Sequence, residues 1–174
     1  MLKPKKISES TTILTDTVLP SETNAYGNMF GGELLARMDR AGCITAQRHS
    51  GRVAVTASVN HVAFKKSIAQ GSIVTVEANI SRAFNTSMEI YIDVWVEDYI
   101  RGGRVKSNEA IYTFVALDDQ GHPVEIPEAI PETELEKERY QSALQRKQLS
   151  LVLAGKMKPH EATEITAFFE RLEK

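Results

Sequence analysis

Residues 20–50 read PSETNAYGNMFGGELLARMDRAGCITAQRHS, and this stretch decides how the rest of the chain must fold. It opens as a polar loop suited to turns, with Asn24, Gly27 and Asn28, and passes through Gly31-Gly32 into the strongest helix pattern of the chain. Ser50-Gly51 supplies a stop signal after His49. At ~100° per residue, Asp39 shares its side of that helix with Gly32, Leu35, Ala36, Gly42, Cys43 and Ala46. Glu33, Arg37, Arg40, Gln47 and Arg48 gather in a separate sector. A surface carboxylate belongs with the other charges, so an aspartate on a face of small and apolar residues points to chemistry.

Strand patterns surround the helix. Thr11–Leu19 is rich in β-branched residues and ends at Pro20. After the helix, Val53, Val55, Ala57 and Val59 alternate with Ala54, Thr56, Ser58 and Asn60, and Val62 and Phe64 then fall on the other parity, which a bulge near Asn60-His61 would explain. Val74, Val76, Ala78 and Ile80 form the next strand, beyond a turn at Gln70-Gly71. Met88, Ile90, Ile92, Val94 and Val96 form another, and Val105–Leu117 the last, with turns at residues 83–87, 102–103 and 118–121. Strands joined by tight turns are antiparallel neighbours. One long helix with few polar positions needs burial on most sides, so the fold class is α+β, a curved antiparallel sheet wrapped around a single central helix. Tyr91 and Trp95 on the outer row of that sheet point to a partner subunit.

Past Pro123 the character changes. Pro127 and Pro131 punctuate a connector, Glu132–Gln148 is a charged helix, and residues 159–174 form a shorter one with Ile165, Phe168, Phe169 and Leu172 as its stripe. Residues 1–130 therefore make the main domain, and 131–174 a charged helical extension of it, too small for a core of its own.

Composition excludes several classes. The chain has 174 residues and a net charge of -2, with no block of like charge, so no nucleic-acid partner is expected. No apolar run reaches the ~18–20 residues of a membrane span. The N-terminus has basic residues but no apolar core behind them. The single cysteine, Cys43, makes no intramolecular disulfide and reads as a small buried thiol. His49, His61, His122 and His160 are too scattered for a metal site, and no metal is expected. These features read as cytoplasmic.

Asn24, Gly27, Asn28, Phe30, Gly31, Gly32, Leu34, Leu35, Met38 and Asp39 spell N-x-x-G-N-x-F-G-G-x-L-L-x-x-M-D. Arg48-His49, the run Thr56-Ala57-Ser58-Val59, Phe64-Lys65 and Thr86-Ser87-Met88-Glu89 follow in order. Over residues 10–130 this combination resembles the hotdog-fold acyl-CoA thioesterases, the bacterial short-chain enzymes and brain-type acyl-CoA hydrolases. Asn60 departs from the pattern, standing where many relatives carry an acidic residue.

The resemblance implies a hotdog fold, hydrolysis of acyl-CoA to a free acid and CoA, and a homodimer joined edge to edge, commonly in a trimer of dimers. It implies active sites across the dimer interface, where Asn24 of one subunit meets Asp39 and Thr56 of the other. On residue type alone, Asn24 is a turn residue and Thr56 a β-former; the resemblance gives them catalytic roles. Asp39 acts as general base on water or attacks directly. Thr56 holds the water or the carboxylate, and the backbone at Gly31 and Gly32 supplies an oxyanion hole at the helix N-terminus. For coenzyme A, the backbone of Ser58, Val59 and Asn60 suits the pantetheine amides, beside Phe64. Lys65, Lys66 and Arg82 are candidate phosphate contacts, with Asn85, Thr86 and Ser87 as turn donors and Arg101 and Arg104 also available. Coenzyme A belongs to substrate and product, so no separate cofactor is expected. Two rivals remain: a hotdog enoyl-thioester hydratase or dehydratase, which would want a histidine near the helix, and a non-catalytic acyl-CoA sensor or scaffold.

Overall fold

The structure is a computed structural model and describes residues 2–172. Its elements in order are β1 (Lys5–Lys6), β2 (Thr12–Thr17), α1 (Gly31–Ser50), β3 (Val53–Phe64), β4 (Ile73–Ala83), β5 (Ser87–Glu97), β6 (Arg104–Leu117), β7 (Ala129–Ile130), α2 (Glu134–Leu153) and α3 (Thr163–Leu172). Residues up to Ile130 form one compact unit and those from Pro131 a second.

In the first unit, five strands pair in the order β2-β4-β5-β6-β3, each antiparallel to its neighbour. The hairpin turns use glycine where φ is positive, at Gly102 (79°) and Gly103 (88°) between β5 and β6. β2 and β3 are the two edges, and α1 crosses one face of the sheet on its way between them. The inner rows foreseen from alternation, Val74, Val76, Ala78 and Ile80 of β4 and Met88, Ile90, Ile92 and Val94 of β5, are buried, and Ala110, Tyr112, Phe114 and Ala116 of β6 join them in the core. Helix α1 buries Leu34, Met38, Ala41 and Ala46 against them, and Gly51 in the left-handed region (φ 66°) ends it.

Gly42 sets how closely the helix approaches. A Cβ there would lie 2.8 Å from the Phe114 ring and 3.4 Å from Ile92 Cδ1, so only a glycine lets α1 sit on β5 and β6 at this distance. Gly42→Ala should destabilise the fold by about 1–3 kcal/mol, the usual cost of overpacking a filled core. Chemical denaturation against the wild type measures it, and an unchanged midpoint would mean that the ring gives way freely.

Two charged or titratable groups of α1 lie inside. Arg37, grouped by phase with the solvent-facing charges, is buried instead. Its Nη2 donates to both carboxylate oxygens of Glu22 (2.9 and 2.8 Å) and to the Thr17 carbonyl (3.0 Å), so it holds the segment before α1 against the helix. His49 is fully buried; one ring nitrogen lies 2.9 Å from the Pro127 carbonyl and the other 3.1 Å from Ser10 Oγ. With a carbonyl as partner, Nε2 must carry the proton, and Nδ1 then accepts from Ser10. Burial holds the imidazole below its ordinary pKa, so it ties three distant segments together in its neutral form.

On the outer face, Tyr91 and Trp95, the two rings read as pointing to a partner subunit, are engaged by side chains of their own sheet. Tyr91 donates to Glu109 (3.1 Å) and lies under the Lys106 ammonium. Trp95 donates to Glu77 (3.1 Å) and lies under the Arg104 guanidinium, which itself pairs with Glu77. Both rings are half-buried and clothed by charges of the same face. Lys106 first, then Lys65, hold the Glu109 carboxyl down at about 2.

In the second unit, Thr133 caps α2 in a reciprocal box with Glu136: its Oγ1 accepts from Glu136 N, and Glu136 Oε2 accepts from Thr133 N. The Gln148 side-chain oxygen accepts the Glu164 and Ile165 amides (2.9 and 3.2 Å) and so caps the start of α3. Among the described residues, no helix is long and apolar enough to cross a membrane.

Candidate active site

The loop before α1 is built by its asparagines and glycine. Asn24 Oδ1 accepts from the amides of Tyr26 (2.9 Å) and Asn28 (3.3 Å), an Asx turn, and Gly27 follows at φ 70°. Met29 N donates to the Ile68 carbonyl and Gln70 N to that of Gly27, which fixes the loop on residues 68–70. Asn24 Oδ1 is thus engaged locally, and its Nδ2 remains as the donor that can reach outward.

The chain then enters α1 at Gly31. Phe30, the N-cap, offers no side-chain acceptor, so the first amides of the helix carry the positive end of its dipole without a side-chain cap. A Cβ on Gly31 would touch the Phe64 ring at 3.4 Å, whereas one on Gly32 would meet nothing within 4 Å. Asn24, Gly31, Phe64 and Lys66 line one cleft, of about 350 Å³.

Asp39 lies elsewhere. Two turns further along α1, about 12 Å from Gly31 at 1.5 Å per residue, its Oδ1 accepts a hydrogen bond from Thr56 Oγ1 at 2.6 Å. Thr56 reaches it because β3 faces the other way from the expected parity. Val53 and Val55 point outward and are exposed, while Ala54 is buried and Thr56 pairs with Phe114 of the inner row. The small Ala54 is buried, with its carbonyl against Cys43 of the helix, and the threonine hydroxyl finds the carboxylate. The bulge expected near Asn60 is present, and a second lies at Ala57, between Thr56 and Ser58. The two interruptions turn Thr56, Val59 and Val62 all toward the helix. Leu35, Ala36, Asp39, Val59, Val62 and Tyr112 thereby line a mainly apolar groove of about 310 Å³ with one carboxylate in its wall.

The electrostatics follow from that packing. Burial first, and the Asp39 charge second, push the Tyr112 phenol up to about 12 and raise the Cys43 thiol. Cys43, whose Sγ lies 3.7 Å from the Ala54 carbonyl, is therefore a packed thiol rather than a nucleophile.

The residues foreseen for coenzyme A do not come together within one chain. Ser58, Val59 and Asn60 lie at the middle of the edge strand, where Asn60 Nδ2 donates to Thr113 Oγ1 (3.2 Å). Lys65 and Lys66 follow β3 at the end of the sheet near Asn24, and the Lys65 ammonium is paired with Glu109. Arg82, Asn85, Thr86 and Ser87 lie at the opposite end, in and beside the turn from β4 to β5. Two carbonyls there are engaged: that of Asn85 accepts from Ile126 N, and that of Thr86 from Ala116 N.

Comparison with known proteins fits this geometry. Residues 26–101 match the family model of the thioesterase superfamily. An acyl-CoA thioester hydrolase of Bacillus subtilis, YkhA, is 38% identical over 138 residues, covering 79% of this chain and 80% of its own. The chain belongs to the acyl-CoA thioester hydrolases. The rat cytosolic acyl coenzyme A thioester hydrolase is 33% identical over 141 residues, and the chain spans 37% of its length. Among solved structures, the acyl-CoA hydrolase of Staphylococcus aureus in complex with butyryl coenzyme A, coenzyme A and coenzyme A disulfide superposes with a TM-score of 0.83, at 34% identity, covering 98% of this chain and 99% of that one. The same hydrolase has been solved with an aspartate, a threonine and an asparagine each replaced by alanine. An apo-hexameric acyl-CoA thioesterase superposes with a TM-score of 0.85 at 36% identity, covering 88% and 98%. The sheet wrapped on α1 is thus the hotdog fold of this hydrolase family.

Sequence reasoning passed over Tyr112, an inner-row residue of β6 opposite Val59. It lay unremarked in the last strand, because only the β3 bulges bring it beside Asp39. Arg37 was misplaced because its partner, Glu22, lies in a loop whose path no periodicity reveals.

Proposed function

We propose that this acyl-CoA thioester hydrolase uses Asp39 as the general base for water, with Thr56 orienting the carboxylate. The observation that carries it is the 2.6 Å hydrogen bond from Thr56 Oγ1 to Asp39 Oδ1 at the wall of an apolar groove. Thr56 occupies one carboxylate oxygen and leaves Oδ2 to accept a proton from water. The water oxygen bonds to the thioester carbonyl carbon, and the carbonyl oxygen takes the negative charge. Collapse of that intermediate breaks the carbon–sulfur bond; the proton held by Asp39 passes to the departing thiolate, giving free acid and CoA. Coenzyme A enters and leaves with the acyl group, and the step uses no further cofactor. In the Staphylococcus aureus hydrolase, the replaced asparagine, aspartate and threonine fall at the same intervals as Asn24, Asp39 and Thr56 do here, which supports the assignment.

The working unit in this reading is a dimer. Oxyanion donors at Gly31 and Gly32 lie about 10–12 Å from Asp39 along the same helix, too far to serve a thioester activated there. β3 is an edge strand of 12 residues with Val53, Val55, Val59 and Phe64 exposed. Antiparallel pairing of two such edges about their middle brings the Asn24 and Gly31-Gly32 end of one chain toward Asp39 of the other, and gathers Lys65 and Lys66 of one with Arg82 and residues 85–87 of its partner. Trimers of such dimers accord with the hexameric relative, and a cytosolic location with the name of the rat relative.

Complementation tests the shared site. Asp39→Ala and Asn24→Ala chains, each inactive alone, should regain about a quarter of the wild-type rate when co-refolded in equal amounts. Random pairing makes half the dimers mixed, and each mixed dimer carries one intact site of two. No recovery in mixtures shown to contain mixed dimers would place Asn24 and Asp39 in one subunit's site or remove Asn24 from the chemistry.

A further inference from the structure

We propose that Tyr112 is the floor of the acyl-chain site and limits this enzyme to short acyl-CoA thioesters. The inference rests on Asp39 as the base, because the carboxylate fixes where the thioester carbonyl must lie. With the carbonyl at Asp39, the carbons beyond it enter the groove between Leu35 and Ala36 of α1 and Val59 and Val62 of β3. Tyr112 closes that groove from below. It stands on the inner row of β6, opposite Val59 on one side and Ile90 on the other, and is 1% exposed. Its hydroxyl donates to the Leu35 carbonyl at 3.3 Å, so the side chain spans the gap between sheet and helix just where an acyl chain would have to pass.

The floor has nowhere to go. The Tyr112 ring stacks on Phe114, with centroids 6.2 Å apart and planes 18° from parallel. Phe114 in turn lies in the space that a Cβ on Gly42 would need, at 2.8 Å. The close approach of α1 to the sheet therefore fills the volume behind Tyr112, and a longer chain cannot push the ring aside without lifting the helix. The Leu35 carbonyl that Tyr112 holds is also the helical acceptor of the Asp39 amide. The residue that stops the chain thus grips the turn of helix carrying the base.

The test is a chain-length profile: kcat/KM for acetyl-, butyryl-, hexanoyl-, octanoyl- and palmitoyl-CoA by thiol release. The wild type should favour butyryl- over octanoyl-CoA and hydrolyse palmitoyl-CoA least. Tyr112→Leu removes most of the ring and should raise the octanoyl-to-butyryl ratio about tenfold or more, since each newly buried methylene is worth roughly fourfold. Val62→Phe fills the groove from its other wall and should shift the profile the opposite way, losing hexanoyl-CoA before butyryl-CoA. Tyr112→Phe keeps the ring and should keep the wild-type profile, whatever its rate. Equal wild-type rates on butyryl- and palmitoyl-CoA would overturn the proposal. So would an unshifted profile in folded Tyr112→Leu and Val62→Phe, or a Tyr112→Phe profile matching that of Tyr112→Leu. Loss of the Asp39 reading would look different: Asp39→Ala would turn over every chain length as the wild type does.

Discussion

Asp39→Ala should lower kcat for acyl-CoA hydrolysis by ~10²–10⁴-fold, the range that a positioned general base contributes. KM should change little, because the carboxylate acts on the water in the transition state rather than on bound substrate. The size of the effect follows from the surroundings. Among the described residues Asp39 is the sole carboxylate lining a groove otherwise formed by Leu35, Ala36, Val59, Val62 and Tyr112, so no neighbour there can take over its proton. Thr56→Val, which keeps the carboxylate but removes its 2.6 Å hydrogen bond, should cost less than Asp39→Ala in the same assay. Thiol release read alongside CoA binding by calorimetry separates chemistry from affinity. Equal turnover by Asp39→Ala and the wild type would sink the general-base assignment.

The second large effect is on stability. Glu22→Ala should destabilise the fold by about 3–5 kcal/mol, because it leaves the Arg37 guanidinium buried without its carboxylate. The Arg37 side chain is 6% exposed and that of Glu22 18%, and the remaining acid nearby, Asp16, is 72% exposed at 3.6 Å. Among the described residues Arg37 Nη1 is already buried without a hydrogen-bond partner, so loss of Glu22 adds to an unmet demand for acceptors. For a chain of this size the melting temperature should fall by roughly 2–4 °C for each kcal/mol lost. The pH dependence has a definite sign. The Leu19 amide first, and Arg37 second, hold the Glu22 carboxyl below its ordinary value. Its contribution is therefore complete above the unfolded value of ~4.3 and disappears as pH falls through the lower folded value. Wild type and Glu22→Ala should converge in acid and differ most near neutrality. A constant difference across pH 3–7 would mean that shape, not charge, is what Glu22 supplies.

The scaffold was legible because its signals are local. Gly31 to Ser50 carries a helical period, and β4 and β5 alternate, so their buried rows followed from neighbouring residues alone. The near-continuous apolar run at the end of β6, by contrast, marked a strand without saying which row faces inward. The carboxylate at Asp39 was legible for the same reason, since helical phase sets it among small residues. Thr56 as its partner came from the resemblance, and its hydroxyl meets Asp39 only because β3 turns the parity that its valines suggest toward solvent. Val53 and Val55 look like core to any hydrophobicity argument. Their exposure reflects where the strand sits, at an edge, and position in a sheet is a property of the whole chain. Arg37 escaped because burial of a cation depends on a partner reached through the loop at Glu22. Tyr112 escaped because its place beside Asp39 depends on bulges three residues apart, of which sequence marked one.

Those bulges also bear on how the protein keeps good company. A long, unpaired, valine-bearing edge is a template for indiscriminate strand addition and fibre growth. Interruptions at Ala57 and Asn60 break the template into short runs, and a passing strand with an unbroken repeat cannot match it over more than a few residues. Only an edge interrupted at complementary places can zip along its whole length. The irregularity that aims Thr56 and Val59 at the helix is thus also a gatekeeper against aggregation, and straightening β3 would put solubility at risk along with the site.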